Sequence, residues 1–528
     1  MQVKCISAAE VHQRVIAASE LAFLDVREHG VHSQGHPLYA VPLPLSRLEL
    51  EVERLVPKKS VPIVLLDQGE ADDYASRAAK KFIEFGYEDI SILEGGVMAW
   101  KDAGFELFSG VNVPSKAFGE FVEQTCETPH ITAAELNDRL SVGEKIAIFD
   151  SRPYSEYQRM CIPGGVDMPG AELAYRIHEN IADDTTPIVV NCAGRTRSII
   201  GAQSLINAGV KNPVMALKDG TMGWYLEGFS LEHGSNRVAG PPSMEAHEKS
   251  LQGARALAEK LGVKVVEKAR VDRLKDSDCA LFLLDVRTIE EFEERHVAGA
   301  QHAPGGQLVQ ATDEYVGVRG ATLVLFDDKE VRALMTASWL KQLGWRKVFV
   351  VTDFSGFDLE TGPMKKIEVA GVETLTPHEL SAVLQSGEAV ALLDLSPSLS
   401  FRAGHIPRAN WMIRSRIPRD MMLLPPVGLV ILTAEDERIA HLAAPEIQAV
   451  RPEVIVRVLA GGNKAWKEAG LNLEEGETGQ LSPPEDAWYK PYDNKEKIRE
   501  RMLEYLEWEV GLISQIERDA TANFNILS

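Results

Sequence analysis

Val189-Val190-Asn191-Cys192-Ala193-Gly194-Arg195-Thr196-Arg197-Ser198 is the stretch that decides the fold. The apolar run Pro187-Ile188-Val189-Val190 reads as a short buried strand. From Ser198 onward Ile199, Ile200, Ala202, Leu205 and Ile206 fall near helical spacing. Cys192 is thereby predicted on a tight strand-to-helix loop. Such a loop turns successive backbone N–H groups into its own centre, which favours an anion or a thiolate. Arg195 and Arg197 add fixed positive charge on the same loop. The thiol is therefore expected to titrate well below its free value of roughly 8.5 and to be nucleophilic at neutral pH.

Working outward, the unit that contains this loop recurs. An apolar strand ends in Asp at Leu24-Asp25-Val26-Arg27, Phe149-Asp150-Ser151-Arg152, Leu284-Asp285-Val286-Arg287 and Leu393-Asp394-Leu395-Ser396. An aromatic and a Gly/Pro turn follow, best seen at Phe401 and Gly404-His405-Ile406-Pro407-Arg408-Ala409. A Gly-rich turn ahead of an aromatic closes each unit, at Gly95–Trp100, Gly220–Trp224 and Gly461–Trp466, with a worn copy at Ser355-Gly356-Phe357. Asp25 and Asp67, Asp150 and Cys192, and Asp285 and Asp327 are each 42 positions apart, and Asp394 and Thr433 are 39 apart. Strands alternating with helices at this pitch predict an α/β chain of four small parallel sheets, each flanked by helices.

Length and composition set the outer limits. A chain of 528 residues is too long for one core. Its net charge of −22 argues against nucleic acid as a partner, and no apolar run is long enough for a membrane span. Met1–Ser7 lacks the apolar core of a signal peptide. The five cysteines are scattered without a CxxC, so neither a disulfide framework nor a zinc site is expected, and a reducing cytoplasm is the expected location. The thirteen histidines show no HxH or HExxH spacing, so no metal is expected.

The units are expected at 1–110, 128–234, 262–362 and 372–476, with a helical tail at 482–528. The stretch from Gly110 to Pro129 reads as a mixed linker. Gly234 to Gly262 reads as a linker carrying a helix from Ser243 to Leu261. In the tail a helix from Asn494 to about Arg518 places Ile498, Met502, Tyr505, Leu506, Leu512, Ile513 and Ile516 near one stripe. That stripe is expected to dock on its own chain or on a second copy, which would make a homo-oligomer.

Taken together, these motifs resemble the rhodanese family of sulfurtransferases over about residues 8 to 476, as four tandem domains. The resemblance implies transfer of a sulfane sulfur through a cysteine persulfide, with no cofactor. Cys192 matches the catalytic cysteine. Arg195 and Arg197 match loop positions that help bind an anionic donor such as thiosulfate, and Ala193, Gly194, Thr196 and Ser198 supply backbone N–H groups and a hydroxyl. The acceptor would be a thiol or cyanide. Asp150 and Arg152 read as a supporting pair that ties strand end to loop. Trp224 reads as a packing anchor, because Trp100 and Trp466 recur in other units.

Two rival readings differ in what they require. A cysteine phosphatase of the related kind needs Cys, five residues, then Arg; here Arg197 comes one step early, Ser198 stands in that place, and Asn191 replaces the usual His. A non-catalytic scaffold would leave Cys192 vestigial. The other three units carry Asp67, Asp327 and Thr433 at the expected cysteine position and so cannot form a persulfide. Their loops are acidic: Asp67, Glu70, Asp72 and Asp73; Asp327, Asp328 and Glu330; Glu435, Asp436 and Glu437. These carboxylates are expected to cap the loop amides that an anion would otherwise hold.

Overall fold

The computed structural model describes residues 3–69, 73–494 and 496–527. Among the described residues, four five-stranded sheets share one strand order. In the sheet that carries the Cys192 strand the order is His130–Ile131, Val214–Leu217, Ile188–Asn191, Ala147–Asp150, Val166–Asp167, and the neighbours pair in parallel. The central strands are short, apolar and buried, as strands covered on both faces must be. Helices on either side cover them. Thr196–Asn207 leaves the Cys192 loop, and Gly170–Asn180 packs beside it.

The repeated Asp-x-Arg phrase has a structural cause. The Arg152 guanidinium donates to both oxygens of Asp150, at 2.8 and 2.7 Å, and also to the carbonyl of Met160. Arg27 with Asp25 and Arg287 with Asp285 do the same, each reaching a carbonyl eight residues on. In the fourth unit Ser396 replaces the arginine. There Asp394 accepts from the Ser396 amide and from Asn463 instead. The closing tryptophans also repeat one role. The indoles of Trp100, Trp224 and Trp466 each donate to a carbonyl six residues on.

Pairing register corrects one position. Asp150 lies opposite Asn191, the residue before Cys192, and Asp394 lies opposite Thr433. The fourth unit therefore has Ala434, not Thr433, in the place of Cys192. The closing turns agree, since the amides of Val97, Thr221 and Asn463 donate to the carbonyls of Asp67, Cys192 and Ala434 respectively.

Two connections matter for the site. The helix Met244–Lys260 forms close to the expected span and packs on Gly170–Asn180 and on Val331–Gln342 of the third unit. The stretch read as a mixed linker is largely a helix, Val113–Cys126, with Pro114 in its first turn. Its buried residues Val113, Ala117, Phe118 and Val122 follow helical spacing. The tail helix runs from Ile498 to Asp519 and lies along that linker helix. Leu512 and Ile516 join Val113 and Ala117 in one cluster, and Met502 and Leu506 join Ala193 and Met222 in another. The apolar stripe is thus buried inside its own chain, which removes the reason to expect a second copy on that face. Among the described residues no helix is long and apolar enough to cross a membrane.

Candidate active site

Cys192 follows its strand directly and is 2% exposed. Its Sγ lies 3.1 Å from Ser198 Oγ, and that hydroxyl is 2.9 Å from the Arg195 carbonyl. With its proton on the carbonyl, Ser198 accepts from the thiol; turned toward sulfur, it donates to a thiolate. Among the described residues, none of the amides of Ala193, Gly194, Arg195, Thr196 and Arg197 donates to a protein acceptor. These five amides at the start of the helix thus stay without a protein partner, as the loop reading anticipated. Asn191 anchors the loop from behind, donating to Asp150 at 3.0 Å and to Thr221 at 3.1 Å. Gly220, at φ 53°, brings the closing turn against the Cys192 carbonyl, where a side chain would collide.

The silent loops fill this nest themselves. Asp67 accepts from the amides of Gly69 and Ala75 at 3.0 and 2.9 Å. Asp327 accepts from Lys329, Arg332 and Ala333 at 3.0, 2.9 and 3.2 Å. In the fourth unit Asp436 caps its helix through the Arg438 amide. The remaining described acids are spent otherwise: Asp73 makes no cap bond and pairs with Arg77, Asp328 faces Arg287 and Arg295, Glu330 pairs with Arg255, Glu435 accepts from Ser400, and Glu437 accepts from the Gly461 amide. Glu70 and Asp72 lie outside the described residues.

Arg195 departs from its expected role. Its guanidinium is held by Glu120 at 2.8 Å, by Glu123, and by Asp219 at 3.3 Å. The linker helix brings the first two acids, so this arginine ties the loop to that helix and its charge is already shared. Arg197 faces the open side. It pairs with Glu156 at 2.9 Å, and Lys490 reaches the same carboxylate at 3.2 Å. Burial alone would raise Glu156, but Arg197 and Lys490 hold it down at about 2. Thr196 directs its hydroxyl at Glu509 of the tail helix, 3.5 Å away. Cys161 is buried in a bridge to Glu232, away from this loop's contacts.

The expectation of a depressed thiol pKa is also corrected. Burial pushes the Cys192 thiol above its ordinary value, against the pull of Arg197 and Ser198, and Glu509 adds to the rise. Arg197 and the Ser198 hydroxyl are the groups that favour the ionised sulfur against that burial. Ala193, Arg197 and Met222 open onto a cavity of about 1400 Å³. Its wall also includes Arg47 of the first unit, Gln301 of the third, Arg438 of the fourth, and Tyr492 and Tyr505 of the tail.

Sequence reasoning missed Lys116, Glu120, Glu156, Tyr505 and Glu509. The linker's helical spacing and Pro114 were the signal for the first two; nothing local marks the tail residues as part of the loop. Among the described residues no cluster of His, Cys, Asp and Glu could hold a metal ion, and all five cysteines are free thiols.

Fold, repeated strand order and cysteine loop define the class. A family model described as the rhodanese-like domain matches residues 7–103, 132–227 and 267–354. The chain belongs to the rhodanese family of sulfurtransferases. The fourth sheet, outside the matched residues, has the same strand order. A crystal structure of thiosulfate sulfurtransferase from Pseudomonas aeruginosa is 43% identical with a TM-score of 0.94, covering 100% of both chains. An HTH-type transcriptional regulator of Mycobacterium tuberculosis is 36% identical over 105 residues, 20% of this chain and 45% of that protein. YrkF of Bacillus subtilis, named for sulfur carriage, is 34% identical over 76 residues, 14% of this chain and 40% of that protein. The chain thus spans less than half the length of these last two relatives.

Proposed function

We propose that the protein moves a sulfane sulfur from an anionic donor such as thiosulfate to a thiol or cyanide, through a persulfide on Cys192. The Cys192 thiolate attacks the outer sulfur of thiosulfate. The sulfur–sulfur bond of the donor breaks, sulfite leaves with the electron pair, and the persulfide remains with its terminal charge on the loop amides. An acceptor then removes that sulfur and restores the thiolate. Arg197, on the cavity wall, supplies charge to the incoming donor. The observation that carries this reading is the nest of five unpaired amides beside Cys192, where the equivalent loops with Asp67 and Asp327 are filled by their own carboxylates. The full-length likeness to a thiosulfate sulfurtransferase supports the choice of donor.

The test is intact mass after thiosulfate treatment and removal of excess donor. One added sulfur is expected, on the peptide that carries Cys192, and none in Cys192→Ser. A Cys192→Ser chain that still gains sulfur would move the chemistry to another cysteine.

A further inference from the structure

The tail helix does more than cover an apolar face. It places Glu509, 2% exposed, against the cysteine loop. A Cβ at Gly194 would lie 3.0 Å from Glu509 Oε2 and 3.3 Å from Tyr505 Cε1, so the glycine is what lets the helix approach. The two carboxyl oxygens differ. Oε1 accepts from the Tyr505 hydroxyl at 2.8 Å and lies 3.5 Å from the Thr196 hydroxyl. Oε2 is buried beside the loop and has no partner. An ionised oxygen left so would be costly, whereas a protonated one is a donor in search of an acceptor. What the neighbouring nest is built to hold is an anion.

The charged groups around Glu509 point the same way. From the linker helix come Lys116 and Glu120; from the loop come Arg195, Arg197 and Cys192; from its own helix comes Tyr505. The Arg195 charge is shared among three carboxylates and that of Arg197 is directed at Glu156. The Lys116 ammonium is buried, makes no hydrogen bond, and sits 4.8, 5.2 and 4.8 Å from the ring centres of Trp488, Tyr505 and Trp508. None of these cations forms an ion pair with Glu509 among the described contacts. Burial accordingly pushes its carboxyl up to about 7, against the pull of Lys116 and Tyr505.

We infer that Glu509 completes the sulfur-transfer site as an undissociated carboxylic acid, its Oε2 hydroxyl donating to the anion held in the Cys192 loop. The inference rests on the sulfurtransferase reading above. The acid transfers no proton. It adds one neutral donor to the five amides, and it withdraws the negative charge that would repel thiosulfate or the persulfide.

The test follows single-turnover sulfite release from thiosulfate across pH in the full chain. Two ionisations act on the rate in opposite directions. Each pH unit below the thiol's own value gains about tenfold in thiolate, and each unit above the Glu509 ionisation loses about tenfold in neutral carboxyl. The parent is therefore expected to level off from about pH 7, near the value reached by Glu509. Glu509→Gln keeps a neutral donor at every pH, so its rate is expected to go on rising about tenfold per unit over the same window. Tyr505→Phe removes a donor that favours the ionised carboxylate, so its levelling point is expected to move to higher pH. A Gln variant that levels off where the parent does would assign that ionisation to Lys116 or to Cys192 and overturn the inference. A Phe variant with an unmoved profile would do so as well, should the Gln chain fail to fold. A parent that gains no sulfur at any pH would instead sink the sulfurtransferase reading.

Discussion

Asp327→Cys puts a cysteine where the third unit's loop has a carboxylate, and two consequences follow from the contacts already described. Asp327 is fully buried and accepts from three backbone amides at 2.9 to 3.2 Å. Loss of a helix cap of this kind costs about 0.5–2 kcal/mol. Its carboxylate also pairs with Arg332 at 2.9 Å, itself fully buried. Breaking a buried pair costs about 3–5 kcal/mol when the remaining charge is left alone. Arg332 is not left alone, because Glu172 at 3.1 Å and Glu291 still hold it and the Tyr175 ring lies 4.5 Å away. The lower end applies, and the expected loss is about 3 kcal/mol. For a unit of about 100 residues that is about 12–24 °C in the melting transition that includes the third sheet. Thermal unfolding of the full chain measures it. In a Cys192→Ala background the same variant is expected to gain no sulfur from thiosulfate, because Asp328 and Glu291 still face the loop. A melting temperature within a couple of degrees of the parent would refute the view that the carboxylate replaced the bound anion, and a sulfur added at position 327 would refute the view that Asp328 and Glu291 keep an anionic donor out.

Other expectations follow from the same contacts. Arg197→Ala should weaken thiosulfate use by roughly ten- to a hundredfold, the worth of a charge-assisted contact, and should affect a neutral persulfide donor far less. Arg195→Ala should instead lower stability, since it strands Glu120 and Glu123 against the loop; steady-state kinetics beside thermal unfolding separate the two. Asp167 is buried with one oxygen unpartnered, and burial and Asp150 raise its carboxyl to about 7. Because its folded value lies above the unfolded one, its contribution is present in acid and lost as pH rises from about 4 to about 7. Asp167→Asn should therefore melt higher than the parent at about pH 8 and close to it at about pH 4, limits set by the same linkage. Deleting residues 482–528 uncovers Ala193, Met222, Val113 and Ala117, and should lower solubility or change the mass seen by light scattering.

What could be read from the residues alone was local. Strand, cysteine loop and helix lie within about twenty residues, and the Asp-x-Arg pair spans two positions, so spacing carries their geometry. Misplacing Thr433 came from counting positions along a shorter loop, where strand pairing rather than length sets the register. The environment of the thiol was not legible, because its parts are distant in the chain. Arg195 meets Glu120 across 75 positions and Thr196 meets Glu509 across 313. Two arginines beside a cysteine suggest a lowered pKa until their carboxylates are placed. Burial of the thiol then reverses the sign.

The large cavity has one more consequence. Its wall draws on every unit and on the tail, so the three cysteine-less units help to shape the space beside the Cys192 loop, where Ala193 and Arg197 line it. A persulfide in free solution is stripped by any thiol it meets. The persulfide proposed on Cys192 would be approached past walls that all four units and the tail supply. Losing a cysteine-less unit would remove part of that wall. A module without a nucleophile thus still contributes a surface that the approach to Cys192 depends on.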